Sequence, residues 1–76
     1  MKVKDLIAEK DYDYISYKIL INDVSEFAGI CHSENGKLIS DDGDTYDEED
    51  VVIDYKEWSD DLYKNSLSVT VKYIEG

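Results

Sequence analysis

The sequence predicts an α+β fold in which a short N-terminal helix packs on an antiparallel sheet of about four strands. Two observations support this prediction. Apolar residues near the start recur at helical spacing, whereas later segments alternate between apolar and polar residues. The chain has 76 residues, of which 42% are hydrophobic, so we expect one small domain over residues 1–76. The seven tyrosines and one tryptophan predict a core rich in aromatic rings.

The helix is predicted over residues 2–10. Val3, Leu6 and Ile7 lie at spacings of three and four, which places them on one face of a helix. Residues 11–13 are two aspartates around a tyrosine and end the pattern. We therefore expect the apolar stripe of this helix to cover one face of the sheet.

The clearest strand is predicted over residues 14–21, because its side chains alternate between two faces. One of these faces collects Ile15, Tyr17, Ile19 and Ile21. Residues 67–73 alternate in the same way and predict a strand near the end of the chain. Short connections between strands favour antiparallel pairing.

Two turns are predicted between the first strands. Asn22-Asp23 is the first of them, and it is followed by a short β segment over residues 27–32, in which Gly29 weakens the strand or marks a bulge. Asn35-Gly36 is the usual signal of a tight hairpin and leads into a strand over residues 37–40.

Residues 51–58 are compatible with two structures. Thr45 and Glu48 have the spacing of a capping box, and the apolar residues that follow fit one face of a helix. The β-branched run 51–53 and its alternation with Tyr55 instead favour a strand. The strand is the preferred interpretation, and the helix remains open.

The charge is concentrated in one segment. Residues 41–61 hold eleven of the nineteen acidic residues and only one lysine, which amounts to −10 of the formal net charge of −11. All eight basic residues are lysine, and arginine, the usual reader of bases and clamp for phosphate, is absent. A chain with this charge is repelled by nucleic acid, so we exclude direct DNA or RNA binding.

The acidic segment predicts a partner with a basic protein surface. Residues 41–50 place seven carboxylates in ten positions, which is about one charge per 5 Å when extended and is comparable with a phosphate backbone. We therefore expect a non-catalytic protein that imitates a polyanion such as DNA and inhibits a basic nucleic-acid-binding host protein. Nearby aromatic rings would anchor the contact. The candidate binding residues are Asp42, Asp44, Tyr46, Asp47, Glu48, Glu49, Asp50 and Trp58.

The alternative is a structural or accessory protein in which the acidic segment serves only solubility. Such a protein is expected to form a homodimer through an exposed edge of its sheet. Proline is absent, so it cannot protect an edge strand, but the charges of residues 47–50 are suited to that task.

Catalytic and metal chemistry find little support in the sequence. Cys31 and His32 are the only adjacent nucleophile and base, but neighbouring residues of a strand point to opposite faces. Cys31 is expected in the core. Two such residues are too few for a zinc site, and residues 42–53 do not follow the spacing of a calcium loop. We predict no enzyme activity and no cofactor or metal.

The cellular location is predicted from features that the sequence lacks. The chain lacks an apolar run of about 20 residues and an apolar leader segment. Its single cysteine excludes an internal disulfide and fits a reducing compartment. We expect a cytoplasmic protein that does not enter a membrane.

Three segments, residues 1–7, 47–58 and 67–71, together resemble small acidic proteins of Gram-positive phages, prophages and mobile elements, which are largely of unknown function. The resemblance covers about half of the chain. It implies a leading helix and an antiparallel sheet, and thus a strand over residues 51–58. The opening helix and acidic surface are also faintly similar to phage anti-CRISPR proteins, which occupy DNA-binding sites.

Overall fold

The computed structural model describes residues 1–41 and 46–72. In this part of the chain one short helix accompanies five strands, which form a single sheet in the order β3-β2-β1-β5-β4. The elements are α1 (Val3–Ile7), β1 (Tyr14–Ile21), β2 (Val24–Glu34), β3 (Lys37–Ser40), β4 (Val52–Trp58) and β5 (Ser66–Lys72). The structure is thus mostly β, and it agrees only loosely with the predicted α+β class.

The sheet differs from the prediction in two ways. It has five strands instead of about four, and it is mixed, because β1 pairs with β5 in parallel while the other pairs are antiparallel. The reason lies in β5, whose Leu67, Val69 and Val71 are almost completely buried. Such a strand belongs inside a sheet. β3 and β4 lie at opposite edges of the sheet, and β5 lies between β1 and β4.

The helix is shorter than the predicted span of residues 2–10. It is preceded by Lys2, whose N–H donates to the Asp5 carboxylate at 2.8 Å, and it ends at Ile7. Beyond Ile7 the chain turns so that Tyr12 enters the core, where its N–H donates to Ser33 Oγ at 2.8 Å. The burial of Tyr12 in the core thus favours a turn after Ile7 over further turns of the helix.

The core lies on one face of the sheet, under α1. We call this the helix-covered face. Its buried apolar side chains are Val3, Ile7, Tyr12, Ile15, Tyr17, Cys31, Leu67, Val69 and Val71. The predicted burial of Cys31 is thereby confirmed. Over the opposite face, which we call the open face, lies no helix or strand of the described residues.

Both predicted turns are confirmed, and their backbones explain the residues. Asn22 and Asp23 have φ of 50° and 66°, and Asn35 and Gly36 have φ of 53° and 77°. Two successive left-handed residues are the geometry of a type I′ hairpin, which Asn, Asp and Gly adopt at the lowest cost.

The predicted bulge at Gly29 is also found. Gly29 pairs with Tyr17, whereas the next pair joins Lys18 to Phe27, so one residue of β2 is skipped. β2 itself begins at Val24, earlier than predicted, because the hairpin continues the pairing up to Ile21.

The alternatives for residues 51–58 are decided in favour of a strand, β4. The predicted capping box depended in part on Thr45, which lies outside the described residues, as does Tyr73 at the end of the last predicted strand. Within the described ranges, no helix has the length and apolar character needed to cross a membrane.

Candidate functional site

The described acidic residues of the segment 41–61 do not form one surface. Glu49 lies beside α1, where its carboxylate is 2.7 Å from Lys2 Nζ and 2.9 Å from Lys4 Nζ. These two ammonium groups lower the pKa of Glu49 to about 2. Asp41 is instead 2.8 Å from the ring nitrogen Nδ1 of His32.

The turn at residues 46–50, which we call the acidic turn, is bonded into the fold. Its backbone carbonyls at Glu48 and Asp50 accept the N–H groups of Lys4 and Val3 at 2.9 and 3.0 Å. These are N–H groups of the first helical turn, which have no partner inside a helix. The acidic turn therefore caps α1.

Two acidic side chains of this turn also act within the fold. Asp50 accepts a hydrogen bond from the Tyr17 hydroxyl, and burial together with this carboxylate raises the pKa of Tyr17. Glu48 Oε1 accepts the backbone N–H of Leu38 at 3.0 Å, on the outer edge of β3. This contact places a carboxylate of residues 47–50 at an edge strand, and protection of that edge by charge stays a prediction.

The predicted binding residues are only partly brought together. Asp42 and Asp44 lie outside the described residues. Tyr46 is half-buried, with its ring centroid 4.9 Å from that of Tyr17. It shares the acidic turn with Asp47, Glu48, Glu49 and Asp50. The Asp47 carboxylate is engaged locally, since its Oδ1 accepts the N–H of Glu49 at 2.9 Å.

Trp58 is separated from these residues. It is half-buried on the open face, where its Nε1 donates to Ser68 Oγ at 3.1 Å. Its ring also contacts that of Tyr14 edge-on, with centroids 5.7 Å apart. Trp58 and the acidic turn therefore cannot meet one flat partner surface on the same face of the sheet.

A different site lies between α1 and β4, and we call it the α1–β4 groove. It is an open cavity of ≈ 330 Å³ on the helix-covered face. Its lining residues are Met1, Asp5, Leu6, Glu9, Tyr12, Tyr55 and Glu57.

The groove exists because the helix is short and β4 is an edge strand. A helix of five residues is about 7.5 Å long and does not reach over the whole sheet. Tyr55 and Glu57 pair with Val69 and Leu67, so their side chains point to the helix-covered face beside α1. Tyr55 is left 45% exposed.

Two lining residues of the groove, Glu57 and Tyr12, already contact one ammonium group of the chain itself. Lys10 Nζ lies 3.4 Å from Glu57 Oε1 and 5.1 Å from the centroid of the Tyr12 ring. The Tyr12 hydroxyl donates to the same carboxylate, and these two hydrogen bonds lower the pKa of Glu57. An ammonium group between a carboxylate and an aromatic face is a cation–π arrangement.

Two further carboxylates of the groove come from α1 and from the turn that follows it. Asp5 Oδ2 accepts the N–H of Lys2, whereas Glu9 is exposed and forms no ion pair within the described part of the chain. The groove can therefore accept a second cation without displacing Lys10.

Sequence reasoning missed the groove. Asp5 and Glu9 are four residues apart, which places them on one side of the helix predicted over residues 2–10, and this was visible in the sequence. The proximity of these two residues to Tyr55 was not visible in the sequence, because it depends on a contact between residues about fifty positions apart.

Cys31 and His32 lie in β2 as predicted, with their side chains on opposite faces. Cys31 pairs with Ile15 in the core, and His32 pairs with Ile39 on the open face. Within residues 1–41 and 46–72, no group of three or more His, Cys, Asp or Glu is placed to hold a metal ion.

Comparison of the chain with protein-family models, with curated proteins and with solved structures finds no match. Any function must therefore be argued from the charge of the chain and from the geometry of the α1–β4 groove and the acidic turn.

Proposed function

We propose that this chain is a non-catalytic binding protein that holds a basic protein surface in the α1–β4 groove. One observation carries the proposal. Carboxylates from two separate elements, Asp5 and Glu9 on one side and Glu57 on the other, line a cavity beside the exposed ring of Tyr55.

The chemistry of this lining suits a lysine or arginine side chain. The apolar stem of such a side chain packs against Leu6 and Tyr55, while its charged head reaches Glu9. Lys10 serves as an internal precedent, because its ammonium group is held by the same combination of an aromatic ring and a carboxylate.

The net charge of −11 adds a long-range electrostatic attraction between this chain and a basic partner. An acidic protein attracts a basic partner from a distance, which accelerates association and makes it dependent on salt. The partner class we propose is a basic nucleic-acid-binding protein, whose Lys- or Arg-lined surface this chain would occupy as a polyanion mimic. Asp47 is exposed and adds a negative charge in the acidic turn, whereas Glu49 is paired with Lys2 and Lys4.

The test is capture of partners from bacterial lysate at low and moderate salt. The variant Glu9→Lys/Tyr55→Ser removes the unpaired carboxylate and the exposed ring of the groove. The matched control, Glu26→Lys, makes the same charge change on β2, which is three positions away from β4 in the sheet.

We expect a basic protein that the wild type and the control retain and the groove variant loses, with at least a tenfold difference in affinity, or about 1.4 kcal/mol. Duplex DNA should displace the wild type from that partner. Equal retention by all three proteins would overturn the assignment of the groove, and indifference to DNA would overturn polyanion mimicry.

A further inference from the structure

The two edges of the sheet differ in what covers them. At the edge formed by β3, the N–H of Leu38 is taken by the carboxylate of Glu48. At the other edge, the described residues cover only the start of β4, where Val52 donates to the carbonyl of Met1 at 2.8 Å and Val51 forms a bridge with Lys2.

Residues 53–57 continue this second edge without a neighbour. Among the residues that the structure describes, no strand lies beyond them, although they have β5 on their inner side. A strand presents backbone N–H and C=O groups to both sides, so its outer side is a template for another strand. Ile53 and Tyr55 are 47% and 45% exposed there.

We propose that two copies of this chain associate by antiparallel pairing of their β4 strands about a two-fold axis at Tyr55. In this register Tyr55 faces its own copy, and Asp54 lies opposite Lys56 of the second copy. The two-fold axis generates this opposite-charge pair twice. The pairing adds a strand at an exposed edge, which is a common mode of recognition.

The side chains of Asp54 and Lys56 are placed for this contact. Asp54 pairs with Thr70 and Lys56 with Ser68, so both side chains point to the open face. Directly opposite residues of an antiparallel pair share a face, and opposite charges there are favourable.

Neighbouring registers are disfavoured by the same charges. An axis at Asp54 or at Lys56 would place each of these residues opposite its own copy, and like charges would meet. An axis between two residues would pair side chains from opposite faces, which a continuous sheet does not permit. The axis at Tyr55 also uses residues 53–57, the part of the edge that Met1 leaves uncovered.

The test reverses these two charges separately and together. Asp54→Lys places lysines opposite lysines in the proposed register, and Lys56→Asp places aspartates opposite aspartates. Both residues are exposed, so the fold should persist, as circular dichroism will verify. Masses are measured by sedimentation over a concentration series at about 0.15 M salt, where the distant like charges of the two acidic chains are screened more than adjacent pairs.

We expect the wild type to reach twice its mass of 8.8 kDa. Each single variant should dimerise at least about tenfold more weakly. The double variant Asp54→Lys/Lys56→Asp should regain the wild-type dimer. An equimolar mixture of the two single variants should form a heterodimer, since both cross-strand pairs are then again of opposite charge.

A wild type that stays monomeric up to about 1 mM would overturn the proposal. Single variants that dimerise like the wild type would overturn the register, and so would a mixture that does not associate. Tyr55 takes part in both proposals, but Glu9 lies outside β4, so Glu9→Lys should leave the dimer intact. Failure of the dimer and failure of the groove are therefore distinguishable.

Discussion

The acidic turn and the α1–β4 groove both contain carboxylates, yet these carboxylates have different tasks. In the acidic turn, Glu48 and Asp50 accept hydrogen bonds from the fold, and Glu49 is paired with two lysines. In the groove, Asp5 and Glu57 are also bonded within the fold, whereas Glu9 forms no ion pair with the described residues. A dense run of acidic residues therefore indicates a polyanionic surface only where its carboxylates are not already bonded within the fold.

The largest effect that distinguishes the two regions is expected at Asp50. Asp50→Ala leaves the hydroxyl of Tyr17 without its carboxylate acceptor in a part-buried position. We expect a loss of about 1–3 kcal/mol in the free energy of unfolding, measured with urea. The control Asp61→Ala removes the same side chain at an exposed site, where we expect a change within about 0.5 kcal/mol. Equal losses would contradict a stabilising role of the Asp50 carboxylate.

A smaller effect is expected at Glu48. Glu48→Ala removes the acceptor of the Leu38 N–H on the outer edge of β3. We expect a loss of about 0.5–1.5 kcal/mol and faster hydrogen exchange of the Leu38 amide. The exchange rate of an amide in β5, such as that of Val69, should rise only by the global loss of stability. An unchanged Leu38 amide would contradict the edge-capping role.

The smallest expected effect is the change in stability with pH. The pKa of Glu49 is lowered to about 2 by Lys2 and Lys4, so the folded state binds a proton less readily than the unfolded state. This contribution to stability is complete above the ordinary pKa of 4.5 and is lost as pH falls towards 2. Since the pair is exposed, the effect should be modest.

The measurement compares thermal unfolding of the wild type and of Glu49→Gln between pH 6 and pH 2. The two curves should differ most at pH 6 and converge at pH 2. A difference that does not change with pH would assign the effect of the substitution to something other than the two ion pairs.

The sequence predicted elements that depend on neighbouring residues. The limits of β1 follow from alternation, and β3 follows from the hairpin signal that precedes it. Both turns follow from residues that tolerate positive φ. The parallel pairing of β1 with β5 was not predicted, because it depends on where the chain travels between β3 and β4. The shortness of α1 was missed because the burial of Tyr12 competes with the helix.

The site was less predictable than the fold. Alternation places Tyr55 and Glu57 on one side of β4, but it does not indicate that α1 lies beside them. Likewise, the capping of α1 by the carbonyls of Glu48 and Asp50 joins segments more than forty residues apart. Charge density in the sequence therefore identified a segment, whereas contacts of high sequence separation decide which of its carboxylates are available.

The bond from Leu38 to Glu48 has a consequence for growth of the sheet. A sheet with two available edges can add chains without end and form a fibre, whereas one with a single available edge can add one neighbour only. Glu48 covers the Leu38 N–H of β3, so a dimer paired through β4 would offer a less accessible edge to a further strand. We therefore expect discrete particles rather than fibres.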